Sequence, residues 1–532
     1  MGLSPVSQHT GKVRLKVSAF LVCLLVVTSC ALPNPIVQKP PVASFEPKHT
    51  PSMPISILEP SQSLTMESSK LKTPSPKVTP VEATVIPTVM VIKTTQYDLD
   101  AVFDYNQHTL SVTETIRYVN TNPEALKDLI LVVEPNRRPG AFRLDSLTWG
   151  AGQPIKDYEF EGDQLHIPLP QPLTSNAEVN IVIHYALVIP EIAPPSTTYR
   201  PIPYGYSERQ TNIVDWYPYI PPYRSGEGWL VHQNWWFGEH QVLDKADFNV
   251  RLSLADPVQD LVIAASAPAE QDGASYVYHL KAARSFAISA SNQYIVQITS
   301  AGDVTIYSYS FSFNENAGDE ALRNTADAVE LFSQLIIPYP HSSLSVVEAD
   351  FLESMEYDGL YFLSRGFYNL YEGIPQGYLT FIAAHETAHQ WWYGLVGNDQ
   401  ALEPWLDEAM CTYMEYIFYE YVYADYLTDS DQSLVDWWWE YRVNYFEPDG
   451  WVNGSIYDYD EFRPYRDAVY LNGAKFLHDL RNQVGDEAFF SFLSDYASQN
   501  KDRMATAADF FELLQENTDE DLDGLINDYF KR

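Results

Sequence analysis

The chain has 532 residues, and its 71 Asp and Glu outnumber 33 Lys and Arg to give a formal net charge of −38. So acidic a surface argues against nucleic acid and anionic lipid headgroups as partners. The length exceeds one ordinary core, and three cysteines are too few for a disulfide framework.

At the start, Lys12, Arg14 and Lys16 precede a mostly apolar run from Val17 to Val27. A permanent membrane span needs about 20 such residues, so this run reads as a signal sequence. It ends Val27-Thr28-Ser29-Cys30, which resembles a bacterial lipobox with Cys30 as the lipidated residue. Residues 1–29 are therefore expected to be a lipoprotein signal peptide. Cys23 would leave with it, and Cys411 would remain as the one free thiol. Residues 30–92 hold twelve prolines and no glycine after the cysteine, with five Lys against four Glu and no sustained period. Such a segment buries too little apolar surface to fold and reads as an extended tether.

Residues 93–300 read as strands. Tyr97, Leu99, Ala101 and Phe103 alternate with Asp98, Asp100 and Asp104, and after Asn106-Gln107 the two-residue period continues through Leu110, Val112, Ile116 and Tyr118. Further strand runs are 179–185, 248–254, 261–265 and 276–280, and no long helical pattern interrupts them, so a β-sandwich is expected. The Pro-, Tyr- and Trp-rich stretch from Tyr199 to Trp236 reads as packed irregular loops, and His232 and His240 receive no role.

Residues 301–532 change period. A strand-like run, 304–313, precedes a helix face of Leu322, Ala326, Val329, Phe332 and Ile336 that stops before Pro338. The segments around Val346 and Met355 look extended. A helix is expected from Gly377 to Tyr393, and Pro404 opens the next one, with helical patterns onward to Arg532.

On the first of these two helices lies His385-Glu386-Thr387-Ala388-His389, and Glu408 follows after a gap of eighteen residues. Histidines at i and i+4 share a helix face, so both imidazoles reach one cation. Glu408 supplies a carboxylate, and two nitrogens with one oxygen are a catalytic zinc set that leaves a position for water. Glu386 is placed as the base acting on that water. Cys411 reads as a small buried residue rather than a fourth ligand, and Trp437-Trp438-Trp439 as mainly core. Asp407 is a candidate carboxylate partner that orients a ligand histidine.

The segment from His385 to Trp392, with Trp405-Leu406-Asp407-Glu408-Ala409, resembles the zinc aminopeptidase N family, the gluzincins that include leukotriene hydrolase. Glu353-Ser354-Met355-Glu356-Tyr357 resembles that family's Gly-x-Met-Glu-Asn motif, with Glu353 and Tyr357 in place of Gly and Asn. Tyr470-Leu471-Asn472-Gly473 sits where the family has Tyr-x-Lys-Gly. The resemblance implies an N-terminal β-sandwich packed on a thermolysin-like α+β domain, mainly helical toward its end. It also implies one zinc, Glu356 with Met355 and Ser354 as substrate-binding residues, and Tyr470 as the catalytic hydroxyl, with Tyr465 as its competitor. The family's sandwich Gln or Glu that helps grip the substrate amine has no counterpart visible in the sequence. The chain stops about 120 residues after Glu408, so it is expected to be a short form without the family's C-terminal helical-repeat domain and with a more open site.

The expectation is a zinc metallopeptidase acting on peptides outside the cytoplasm of a bacterium, lipid-anchored in the cell envelope, and an aminopeptidase in particular. A zinc endopeptidase of the same fold and a non-catalytic peptide-binding lipoprotein are the alternatives. The intact Glu386 weighs against the last. The preferred first residue, the membrane bearing the anchor and the oligomeric state stay open.

Overall fold

Alternation of apolar and acidic residues builds the first sheet. In the computed structural model, which describes residues 94–192 and 203–531, strand β1 (Thr95–Asp104) buries Tyr97, Leu99, Ala101 and Phe103. It pairs antiparallel with β2 (Thr109–Val119), setting Tyr97 opposite Ile116 and Phe103 opposite Leu110. Next to β2 lies β3 (Glu178–Val188), while the other side of β1 pairs in parallel with β4 (Ala246–Leu254). Strands Phe142–Trp149 at one edge, and Ser275–Ala283 followed by Glu270–Asp272 at the other, complete seven. Smaller three- and four-stranded sheets cover its inner face, with Leu129, Ile167, Ile213 and Ile288 joining the same core. This is the expected sandwich. The signal, Cys30 and the tether lie outside the described residues.

Described residues of the aromatic stretch form short strands and buried loops. Trp216, fully buried, donates its indole N–H to the Phe286 carbonyl at 3.0 Å. A buried ring in irregular backbone thereby keeps its polar tip paired.

A second, five-stranded sheet begins with the hairpin β5 (Tyr294–Ala301) and β6 (Val304–Phe311). Helix α1 (Glu315–Leu335) then leads to β7 (Ser343–Ala349), parallel to β6. The order ends β7, β9 (Leu360–Ser364), β8 (Met355–Tyr357), and β8 is an antiparallel edge strand. Helix α2 (Tyr378–Ala388) is buried from Leu379 onward, and α3 (Trp405–Val422) is buried from Trp405 through Tyr419. Helices buried all round belong at the centre of a domain, and these two pack side by side. Helix α4 (Gly473–Val484) lies on α3.

Helix α2 ends five residues before the expected Tyr393. His389 keeps helical angles as its cap, and the chain then wraps in a wider turn in which the Gly394 and Leu395 amides donate to the His389 and Gln390 carbonyls. Tyr393 takes φ of 118° in that turn, an uncommon value for a bulky residue. Trp391 and Trp392, within the break itself, are wholly buried, so the apolar pattern carries no sign of it.

One carboxyl in the sandwich stands apart. Glu114 faces inward from β2 opposite Leu99, fully buried against Tyr185, and burial raises its pKa well above the usual carboxylate range. It stays protonated in the folded chain and ionises on unfolding, so its contribution to stability is lost as pH rises above the ordinary glutamate value. Glu114→Gln should raise the melting temperature by about 2 °C at pH 8, the scale of ~1 kcal/mol in a domain of 150–250 residues. At pH 5 the gain should be smaller. Melting followed by circular dichroism at both pH values checks this.

Candidate active site

Two helices meet at the cluster that the sequence points to. His385 and His389 project from α2 toward Glu408 in the second turn of α3. Glu408 Oε2 lies 3.2 Å from His385 Nε2 and 3.8 Å from His389 Nε2. The nearest ligand atoms of all three residues fall within 4.8 Å of one another, and all three side chains are buried. Tetrahedral zinc with bonds of about 2.05 Å needs donor atoms ~3.3 Å apart, which these spacings match.

The outward nitrogens are already committed. His385 Nδ1 donates to Glu415 Oε1 at 2.9 Å, and His389 Nδ1 donates to Asp407 Oδ1 at 2.6 Å. Each carboxylate fixes its ring and leaves Nε2 facing the cluster, the usual support for a metal-binding histidine. Burial works to lower the pKa of His385, yet hydrogen bonds to Glu408 and Glu415 raise it to about 9. Glu408 goes the other way. Burial would raise it, but His385, His389 and Tyr470 hold it down to about 2. A pocket that draws protons onto its imidazoles is one that a divalent cation satisfies.

Cys411 lies 3.9 Å from Asp407 Oδ1 and from the Trp392 carbonyl, and burial pushes its thiol well up. Neutral and facing the occupied side of His389, it packs rather than ligates.

Glu386 is buried on α2 between the two histidines. Tyr470 donates to Glu408 Oε1 at 2.5 Å, and its ring stacks parallel to His385 with centroids 6.2 Å apart. It sits in a π-helical turn, Asp467–Asn472, a distortion common at functional sites. Gly473 explains how this turn comes so close, since a Cβ there would lie 2.4 Å from the Ala409 Cβ on α3. Tyr465, the competitor, is fully buried beneath Phe237, with ring centroids 5.2 Å apart. Of the two, Tyr470 is the one at the ligand carboxylate.

Glu356 comes from the edge strand β8 and is buried, with the Gln400 amide 3.4 Å from its Oε1. Gln390, next to His389, ties this strand to α2. Its amide donates to the Tyr357 carbonyl and its oxygen accepts from the Gly359 amide, both at 3.0 Å. Met355 and Glu356 line one cavity, whereas the Ser354 hydroxyl accepts from the Ser364 amide at 3.2 Å and so braces β9. Burial first, then Glu239 among nearby carboxylates, raises Glu356 well above its ordinary pKa. Glu239 lines the same cavity, a second acidic group that the sequence did not reveal. Glu415 was missed as well, although a glutamate inside the apolar run Met410–Tyr419 is a signal. It is fully buried, gripped by both Arg442 nitrogens at 3.0 and 3.1 Å and by the Trp438 indole at 2.9 Å. His232 and His240 pair with Asp399 and Glu134 at 2.9 and 3.1 Å, away from the ligand cluster.

Residues 321–529 match the peptidase family M1 domain. The chain is 25% identical over 253 residues to aminopeptidase M1-D of Oryza sativa subsp. japonica, covering 45% of this chain and 28% of that protein. It is 23% identical over 172 residues to aminopeptidase N of Lactococcus lactis subsp. lactis, covering 28% and 18%. It thus spans less than a third of the length of the curated relatives it matches. Among solved structures, a mutant of the M1 zinc metallopeptidase of Deinococcus radiodurans overlays with a TM-score of 0.57 at 16% identity, covering 82% of this chain and 94% of that one. The same mutant enzyme bound to a Tyr-Ser-Ala substrate overlays equally well at 18% identity, covering 82% and 93%. The site and the matched segment together define a gluzincin. Residues 321–529 carry a peptidase family M1 domain with the ligand set of a zinc metallopeptidase, similar to the aminopeptidase N relatives.

Asp407→Asn should keep the fold and weaken zinc binding by roughly 10–100-fold, the usual cost of losing such a carboxylate partner. Competition against a chromophoric chelator measures it.

Proposed function

We propose that this protein is an aminopeptidase that removes the first residue of peptides. The observation that carries the reading is Glu356, a buried carboxylate on an edge strand beside the ligand cluster, with Glu239 in the same cavity. A buried and a half-buried acidic group there suit one ammonium, the free N-terminus of a substrate. The open edge of β8 can take the substrate backbone as an added strand. Anchored at its amine, a peptide offers its first carbonyl to the cluster.

His385, His389 and Glu408 would hold the zinc, whose Lewis acidity makes water nucleophilic near neutral pH and draws charge from the carbonyl oxygen. Glu386 takes the proton from the attacking water and returns it to the departing amine nitrogen. The Tyr470 hydroxyl, at the rim of the cluster, donates to the carbonyl oxygen as negative charge grows on it, help typically worth ~10²–10³ in turnover.

The purified protein should hydrolyse aminoacyl-p-nitroanilides and lose most of that activity when the amine is acetylated. Glu356→Gln should lower kcat/KM on free substrates by about 10² or more, as when a buried charge pair loses one partner. Equal rates on free and acetylated substrates would instead mark an endopeptidase.

We also propose that the protein is held outside the cytoplasm by lipid on Cys30. The support is the basic start, the short apolar run and Val27-Thr28-Ser29-Cys30, followed by a Pro-rich tether. Metabolic labelling with a radioactive fatty acid should mark the protein, and Cys30→Ala should abolish the label and release the protein from the membrane fraction.

A further inference from the structure

Beyond Glu356 the cavity continues for about 360 Å3, within the roughly 300–1,000 Å3 of small-molecule sites. His385, His389 and Glu386 are not among its walls, so it runs from the amine anchor away from the ligand cluster. A peptide held by its amine at Glu356, with its carbonyl at the cluster, has its first side chain left to place. We propose that this cavity receives that side chain and that Asp215 makes it selective for long basic residues, arginine and lysine. The inference rests on the aminopeptidase reading and adds the substrate class.

The walls suit a long stem with a cationic end. Tyr204, Trp235, Phe237 and Tyr393 supply rings, and Leu243 and Met355 supply apolar surface. Rings of this kind pack methylenes and attract a guanidinium to their faces. Four carboxylates line the cavity, Glu134, Asp215, Glu239 and Glu356, against two guanidiniums, Arg137 and Arg138. Arg137 is committed to Glu134 at 2.9 Å and to Asp163 at 2.5 Å, and Arg138 lies 6.0 Å above the Tyr204 ring. Among the described lining residues carboxyl groups outnumber basic ones, which disfavours an acidic side chain.

Asp215 forms an ion pair with no basic side chain among the described residues. It follows the strand Thr211–Ile213, takes φ of 50° and remains partly exposed in the cavity wall. The Tyr357 hydroxyl donates to its Oδ2 at 3.3 Å, which carries no charge to it. Tyr357 is the residue that replaces the Asn of the resembled motif, so the departure at that position is what connects the anchor strand to Asp215. Burial, then the neighbouring Glu134, push the Asp215 pKa up to about 7, as befits a carboxyl lacking a cation. An incoming guanidinium or ammonium supplies that cation, whereas a neutral side chain leaves the site uncompensated.

The test compares kcat/KM of the full chain with zinc on arginyl, lysyl, norleucyl and glutamyl methylcoumarin amides. Arginine and lysine should exceed norleucine by about tenfold or more, and Asp215→Asn should shrink that ratio by a similar factor. Norleucine equal to or better than arginine overturns the proposal, as does a variant that lowers all substrates alike. Should the variant fail to fold, the wild-type ranking decides alone. Should none of the amides be hydrolysed, the aminopeptidase reading fails separately, and thermal shifts with free L-arginine and L-norleucine then judge the cavity. Stabilisation by arginine alone upholds it, and equal responses overturn it.

Discussion

The site depends on where two protons point. With Asp407 and Glu415 accepting from the Nδ1 atoms of His389 and His385, both rings are locked with Nε2 toward Glu408. Rotate either ring and the donor set disperses, however well α2 and α3 pack. The carboxylates are fixed in turn, Glu415 by Arg442 and Trp438, and Asp407 by Gln400 at 2.7 Å. A polar network of this depth is tolerated in a core because its members are satisfied by one another. Geometry for the ion therefore originates on one helix, with Asp407 directly beside the ligand Glu408 and Glu415 two turns further along.

The second organising element is Gln390. One side chain bonds both ends of the β8–β9 turn while following His389 directly in sequence. Through it the edge strand carrying Glu356 keeps its place relative to the histidines. The Gln390 amide, together with Gln400, thus ties Glu356 to the ligand cluster.

How much of this was legible in the sequence follows from distance along the chain. The histidines, Glu386 and Glu408 declare themselves because helical spacing and a short gap fix their relation. The alternation of Tyr97 to Phe103 likewise fixes which face of β1 is buried. Tyr470 could be found by resemblance, but only the structure separates it from Tyr465, since a π-helical turn shifts side chains out of ordinary register. Glu239, Asp215 and Glu415 meet their partners across long loops or from neighbouring helices, and no local period encodes that. The end of α2 was illegible for another reason. Its continuation is as apolar as the helix itself, and the break is imposed by the turn at Tyr393 and by the residue that clasps it.

That residue is Arg284, fully enclosed just after the strand Ser275–Ala283. Its guanidinium donates to the carbonyls of Tyr393, Leu243 and Arg503 at 2.6, 2.8 and 2.7 Å. A Cβ at Gly397 would lie 2.3 Å from the guanidinium carbon, so that glycine leaves the room. The side chain acts as a rivet through sandwich and helical lobe. Prising the halves apart would strand a desolvated cation, so this clasp opposes a clamshell opening. Cutting the sandwich away would bare the Tyr393 and Arg503 carbonyls that this guanidinium now occupies.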